Sequence, residues 1–354
     1  FDGADISNAQ MDKCVLSGST MRNGTLDGAK MVRARCNYTC IDGASANDAN
    51  ISNAKMVGFM ASGATFKNTI FEGSNAPDSQ FSLSYFENAK ANKVNFKNAD
   101  FSKAHGVNND FSNGDFERSY MSECQIHASD FSSCNMNSSV FDKGDFTEST
   151  FDDAQMVRLK ADWTKFVGAK MSRADMSSSS IKTSNFSHAV TIGANLAGCD
   201  FSGGVFEGAD MSQANMKKCN ISRSRFCGRG ERQVDENGKT EKLLSAAGSG
   251  ANLSEADLSN AVGNNCFFHH SNFDKANMKC AKMSHCDFSN STMNGACMNN
   301  ADLNGCTFDD CVAKNCEIQD AKMNHAGCKR ADFSGSNMTN VLGRFSNFKE
   351  GSLE

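Results

Sequence analysis

Large apolar residues recur at every fifth position along almost the whole chain. The series runs from Phe1, Ile6 and Met11 to Phe226, and it resumes at Leu253. A helix has a period of about 3.6 residues and a plain strand about 2, so neither element alone explains the pattern. A small residue two positions before each large one shares its face in an extended segment, while the intervening polar residues face outward. Each repeat is therefore predicted to be a short extended segment followed by a corner.

Many repeats have alanine, then aspartate or asparagine, then a large apolar residue. Close examples are Ala174-Asp175-Met176, Ala194-Asn195-Leu196, Ala209-Asp210-Met211, Ala256-Asp257-Leu258 and Ala301-Asp302-Leu303. Over nearly the whole chain, this pattern resembles the A(D/N)LXX unit of the pentapeptide-repeat family. The resemblance implies an all-β fold, a right-handed quadrilateral parallel β-helix (solenoid) with about twenty residues, or four repeats, per coil. We expect about 16 to 17 coils and no large second domain.

Residues twenty positions apart should lie above one another if this coil length is correct. One such column contains only phenylalanine: Phe146, Phe166, Phe186, Phe206 and Phe226. After the interruption we expect the same column to continue as Phe268, Phe288, Phe308, Cys328 and Phe348, with four phenylalanines among its five residues. Stacked rings stabilise a core beyond the area that they bury, so these residues are the predicted structural core.

The interruption between Phe226 and Leu253 shifts the frame of the repeats. We expect a single β-helix with the following parts: 1–354 overall, 1–228 as the first part, 229–250 as an inserted surface loop and 251–354 as the second part. The segment Asp235-Glu236-Asn237-Gly238 predicts a hairpin turn in this loop. Long loops on a rigid scaffold often carry function, although a tolerated insertion is an equal alternative.

Two sets of residues are candidates for binding a partner. The first set lies in the predicted loop: Arg229, Glu231, Arg232, Asp235, Glu236, Lys239, Lys242, Leu243 and Leu244. The second set consists of apolar residues at outward positions: Tyr120, Val140 and Trp163. An apolar patch on a polar surface is typical of a partner site, but scattered exposed apolar residues are also normal.

Cysteine and histidine often form catalytic or metal sites in proteins, but in this chain their positions mainly follow the repeat pattern. Most of the 16 cysteines occupy the small inward position, where they replace alanine or serine as buried filler. The pair His269-His270 beside Cys266 resembles a metal site, but the histidines should face outward. The sequence has no Gly-rich phosphate loop and no nucleophile elbow. We therefore expect no catalytic residue, no metal, no cofactor and no enzymatic activity.

The compartment and the partners follow from composition. Many free thiols favour the cytoplasm or another reducing compartment, which for a secreted effector includes the host cytosol. The net charge of −5 and the lack of a long apolar run predict neither direct nucleic-acid binding nor a membrane span. Because the chain begins and ends inside a repeat, we also expect a fragment whose open coils permit end-to-end self-association.

Three functions remain open. The leading hypothesis is a non-enzymatic interaction scaffold, a rigid rod that presents the loop and the patch to a protein; pentapeptide-repeat regions of bacterial secreted effectors resemble this chain. The second is DNA mimicry, because the quinolone-resistance proteins of the family bind DNA gyrase as acidic rods. The column Lys90, Asp110, Asp130, Thr150 and Lys170 is acidic at only two positions, however. The third is the substrate-binding β-helix of a larger HECT-like ubiquitin ligase, whose catalytic cysteine would lie elsewhere.

Overall fold

The structure is a computed structural model that describes residues 1–226 and 246–353. The chain divides into two compact units, Phe1–Asp175 and Met176–Glu354. Each unit is a right-handed parallel β-helix, which confirms the predicted all-β fold, and the described residues contain no α-helix. Four short strands in the first unit form a parallel sheet in chain order: β1 (Thr65–Lys67), β2 (Tyr85–Glu87), β3 (His105–Val107) and β4 (Gln125–His127).

Most other repeats pair with the next coil through a single bridge at the residue before the large apolar one. The repeat around Phe131 shows the arrangement. Asp130 N–H donates to the carbonyl oxygen of Asn109 (2.8 Å) in the preceding coil, and Phe131 N–H donates to that of Thr150 (2.7 Å) in the following coil. Because each repeat bonds in both directions along the axis, every coil is held by its two neighbours.

Each corner requires a residue in the left-handed region. In the Phe131 repeat, Cys134 N–H donates to the carbonyl oxygen of Phe131 (3.2 Å), and the third residue of this turn, Ser133, has a φ of 55°. The same position has a positive φ in repeat after repeat, although it is often occupied by lysine, arginine or glutamate rather than glycine. Glycine and asparagine adopt this conformation most readily, so many corners carry local strain that the ladder on both sides must stabilise.

Aspartate and asparagine are abundant because the corners need hydrogen-bond acceptors. The N–H group that follows the large residue has no partner in the ladder. In some repeats it donates to the preceding side chain, as Ser132 N–H does to Asp130 Oδ1 (2.8 Å). In others the acceptor lies one coil earlier, as for Asp162 N–H and Asp142 Oδ1 (3.0 Å). These carboxylates therefore have structural roles that the repeat itself imposes.

Stacked phenylalanine rings fill the interior of both units. Most rings twenty residues apart are nearly parallel: Phe146 and Phe166 are separated by 5.8 Å at 16°, and Phe186 and Phe206 by 5.4 Å at 13°. Rings on adjacent faces meet edge to face instead, as for Phe201 and Phe206 at 72°. All of the predicted core phenylalanines are buried except Phe348, which is half-buried and meets Phe333 at 6.2 Å.

The predicted course of the phenylalanine column past the insertion is wrong. Phe226 N–H donates to the carbonyl oxygen of Val262 (2.8 Å), so the residue that follows Phe226 in its column is Gly263. Phe268 instead follows Gly248 in the column of Met211. The angle between the Phe226 and Phe268 rings, 80° at 6.1 Å, is accordingly that of adjacent faces.

The C-terminal boundary of the predicted loop is also wrong. Ala247 bridges both Asp210 and Phe267, so residues 246–250 belong to a coil and not to the 229–250 loop. Partners across the interruption are 37 residues apart, as for Asn215 and Asn252. The remainder of the predicted loop lies outside the described residues.

Replacement of Ser138 by valine tests the strain at the corners. Ser138 is exposed and has a φ of 61°. A β-branched side chain is strongly disfavoured there, so we expect Ser138→Val to lower the free energy of unfolding by about 1–2 kcal/mol. Ser138→Asn is the matched control and should be nearly neutral in urea titrations. Equal stability of the two variants would contradict the left-handed corner.

Candidate interaction surface

The outward residues Tyr120 and Val140 lie next to each other on one side of the first unit. They form a parallel bridge, so their side chains are neighbours along the axis, about one coil spacing apart. Val140 is half-buried, whereas Tyr120 keeps 51% of its surface exposed. Together they form a short apolar strip on this side of the unit.

Trp163 lies on the same side, two coils further along. Lys160 follows Val140 in the bridged column, and Trp163 comes three residues later at the corner. Its ring is 64% exposed, and its φ is 62°. A bulky residue in this region costs about 1–2 kcal/mol relative to one that adopts it freely, and burial does not offset the cost here. The fold therefore does not require tryptophan at this position.

Ion pairs border this apolar group, which we call the Tyr120 patch and define as Tyr120, Val140 and Trp163. Lys160 Nζ lies 2.7 Å from Asp142 Oδ2. The Asp142 carboxylate raises the pKa of Lys160, so this pair stays charged at neutral pH. Apolar side chains with a charged border resemble the centre and rim of a protein interface.

The predicted loop candidates, from Arg229 to Leu244, all lie outside the described residues. The structure therefore places only the Tyr120 patch, and it brings those three residues onto one side of the first unit. The contribution of the loop to binding stays a prediction.

The described cysteines and histidines do not assemble a metal site: among residues 1–226 and 246–353, no group of three or more ligating side chains converges. The inward cysteines donate to backbone carbonyls, as Cys134 Sγ does to Phe111 O (3.1 Å). Burial raises the pKa of Cys134 to about 12, so this thiol is not a nucleophile at neutral pH. His269 Nε2 lies 3.0 Å from Ser249 Oγ, in a local contact between coils.

A surface groove in the second unit was missed by the sequence reasoning. It has a volume of about 620 Å³, and its lining includes His285, Gly305, His325 and Phe345. These four residues are twenty positions apart and all have a positive φ. A comparison of corner residues at intervals of twenty, the length of one coil, reveals this column in the sequence. The predictions above concerned mainly the large inward residues and therefore did not include it.

No helix of the described residues has the length and apolar character needed to cross a membrane. Similar solved structures include HetL, a pentapeptide repeat protein involved in heterocyst differentiation regulation in the cyanobacterium Nostoc sp. strain PCC 7120. HetL is 14% identical, with 64% of this chain and 87% of HetL covered and a TM-score of 0.38. Full-length QnrB1, a plasmid-mediated fluoroquinolone resistance protein, is 15% identical over 67% of this chain and 92% of QnrB1, with a TM-score of 0.22.

A pentapeptide repeat protein from the Arabidopsis thaliana thylakoid lumen is 29% identical over 26% of this chain and 65% of its own, with a TM-score of 0.26. No curated protein matches the sequence. The family model described as pentapeptide repeats matches in 8 copies, at residues 1–35, 79–105, 192–228, 249–279, 281–310 and 301–340. These segments make up more than half of the chain and have the five-residue corners described above. The chain therefore belongs to the pentapeptide-repeat family.

Proposed function

We propose that this chain is a non-enzymatic repeat scaffold that binds a protein partner through the Tyr120 patch and the segment 229–244. The observation that carries the proposal is Trp163, a large exposed ring at a corner whose backbone disfavours it. Tryptophan and tyrosine supply much of the binding energy in protein interfaces. The same proposal includes that this scaffold is part of a bacterial effector.

The use of the carboxylates also supports a scaffold. Many aspartates accept hydrogen bonds from corner N–H groups, as Asp332 does from Ser334 N–H (3.0 Å). The bond from the Ser334 hydroxyl (2.6 Å), together with this N–H bond, lowers the pKa of Asp332 to about 2. Such carboxylates are poor proton donors or acceptors near neutral pH. The corners need hydrogen-bond acceptors, and this need explains many of the aspartates in the chain.

The geometry favours a scaffold over DNA mimicry. Lys90, Asp110, Asp130, Thr150 and Lys170 form one bridged column, so lysines stand at both ends of its acidic centre. A DNA mimic needs a continuous run of negative charge to replace the phosphates. A gyrase supercoiling assay with a quinolone present should therefore show no protection by this protein.

Replacement of Trp163 by asparagine tests the patch. Asparagine tolerates a positive φ, so the corner should persist while the ring is lost. We expect Trp163→Asn to weaken binding of the captured partner by about ten-fold or more. Partners would be captured from lysate on immobilised protein, identified by mass spectrometry, and their affinities then measured with purified components.

Tyr38→Asn is the matched control, because Tyr38 is also an exposed aromatic residue of the first unit at a corner with a positive φ. It should leave binding unchanged. A second variant replaces residues 229–244 by a Gly-Ser segment of equal length, which spares the coil residues 246–250. If Trp163→Asn, Tyr38→Asn and the loop variant bind the same partners equally well, the proposed surface is wrong.

A further inference from the structure

One side of the first unit carries a group of cations without paired carboxylates. Arg35 bridges Val15 in the coil before it and Lys55 in the coil after it, so these three side chains project outward in one column, about 4.8 Å apart. Arg33 lies at the corner that borders this side. Arg33, Arg35 and Lys55 are exposed, and none of them forms an ion pair with a described residue. This side therefore presents three positive charges over two coils.

Carboxylates border this group along the axis but not beside it. The same two coils, residues 21–60, contain three carboxylates, all at corners that do not border this side: Asp27, Asp42 and Asp48. Along the axis, Asp12 lies one coil before the group, and Glu72 and Asp78 lie one coil after it. These carboxylates keep their charge, so they confine the positive potential to the two coils. The attraction for an anion is therefore a short-range one that acts on contact.

Two exposed apolar side chains accompany the cations. Val15 keeps 66% of its surface exposed, and Tyr38, three residues after Arg35, keeps 63%. Tyr38 has a φ of 56°, and its ring lies against Gly58 in the next coil, with Cδ1 2.7 Å from where a glycine Cβ would be. Glycine at position 58 thus leaves room for the ring on the surface. We call this group the Arg35 face and define it as Val15, Arg33, Arg35, Tyr38 and Lys55.

We propose that the Arg35 face binds the surface of a membrane that contains anionic phospholipids. Clustered lysines and arginines attract anionic lipids, and each cation near the surface strengthens binding by about five-fold. Tyrosine favours the membrane–water interface, where its ring reaches apolar chains and its hydroxyl stays in water. Contact with lipid also removes the exposed Val15 side chain from water. This site is independent of the Tyr120 patch.

A single-stranded nucleic acid fits the Arg35 face less well than a bilayer does. Sites for single strands combine a positively charged groove, which follows the backbone over several nucleotides, with a series of stacking rings. The Arg35 face has one ring, and Glu72 and Asp78 end its positive charge after two coils. A planar lipid surface needs neither a long groove nor a second ring.

Flotation of the full chain with lipid vesicles tests the proposal. We expect the protein to bind vesicles of phosphatidylcholine that contain about 30% phosphatidylserine, and not to bind vesicles of phosphatidylcholine alone. Salt at about 0.5 M should release it, because the Debye length then falls to roughly 4 Å. Equal binding to both kinds of vesicle, or binding to neither, would overturn the proposal. Binding of a single-stranded RNA oligomer without binding of vesicles would overturn it as well.

Matched variants separate the Arg35 face from net charge. Arg35→Gln/Lys55→Gln should weaken binding to the anionic vesicles by about twenty-fold or more. It should fold, because Gln155 occupies the same bridged column. Lys143→Gln/Lys170→Gln removes two exposed cations that lie outside the Arg35 face of the same unit, and it should change binding by about two-fold or less. Equal weakening by the two variants would show that net charge alone attracts the protein, and would overturn the face.

The orientation on the bilayer can be measured separately. Tyr38→Asn removes the ring but suits the positive φ, and it should weaken vesicle binding by about five-fold. Trp163 lies at a corner that does not border the Arg35 face, so lipids with brominated chains should not quench its fluorescence. Quenching of Trp163, or unchanged binding of Tyr38→Asn, would overturn the proposed orientation.

Discussion

Replacement of Phe131 by alanine is expected to lower the free energy of unfolding of the Phe1–Asp175 unit by about 4 kcal/mol. Phe131 stacks between Phe111 (5.0 Å) and Phe151 (5.1 Å), and its edges meet Phe116 (5.8 Å) and Phe146 (6.1 Å). Alanine would remove all of these ring contacts at once. The ladder above and below fixes the coil spacing, so the coils cannot collapse into the cavity.

Trp163 provides the measurement. It is the one tryptophan of the chain and lies in the same unit as Phe131, so its fluorescence during urea titration follows the unfolding of that unit. Phe131→Met is the control, because methionine occupies equivalent positions such as Met136 and Met156. It should cost about 1.5 kcal/mol or less. Equal losses for alanine and methionine would show that ring volume is not what stabilises the column.

The five-residue period predicted the corners and the inward positions because burial alone determines both. It could not predict on which face a repeat lies after the interruption. Moving a chain by one whole repeat keeps every large residue inward but rotates it to the adjacent face. The bond from Phe226 N–H to Val262 O determines the face, and it places Gly263, not Phe268, below Phe226.

The positive φ at the corners could also not be predicted from the sequence. Ser138, Trp163 and Lys143 adopt it although none of them prefers it, because the surrounding ladder forces each corner into one conformation. The groove was missed for a related reason. His285 and His325 lie at corner positions twenty residues on either side of Gly305, and only the coil register brings them into one column.

Stability in alkali is expected to depend on the buried cysteines. Burial raises the pKa of Cys311 from 9.0 to about 12 and that of Cys316 to about 11. In the unfolded chain these thiols lose their protons from about pH 9, whereas in the folded chain they keep them. The unfolded state then binds fewer protons, so stability is complete below about pH 9 and falls as the pH rises toward the folded pKa values. At about pH 10 the two thiols together should cost about 3 kcal/mol.

Replacement of the buried cysteines by serine isolates the contribution of thiol ionisation, because serine already occupies equivalent positions in neighbouring coils. Ser271 and Ser291 precede Cys311 in its column, and Ser291 Oγ donates to Phe268 O (2.9 Å) as Cys311 Sγ does to Phe288 O (2.7 Å). Cys311→Ser/Cys316→Ser should therefore retain the bonds but not ionise. Urea titrations followed by circular dichroism at about pH 8 and pH 10, with a reductant to prevent oxidation, should show a smaller loss for this variant.

The matched control is Cys280→Ser/Cys297→Ser, which changes two half-buried thiols of the same unit. This variant should lose as much stability between the two pH values as the unsubstituted protein, because the buried thiols remain. The comparison decides between two causes of alkaline unfolding. If neutralisation of the lysines dominates, all three proteins lose stability equally; if the buried thiols dominate, only the variant without Cys311 and Cys316 is protected.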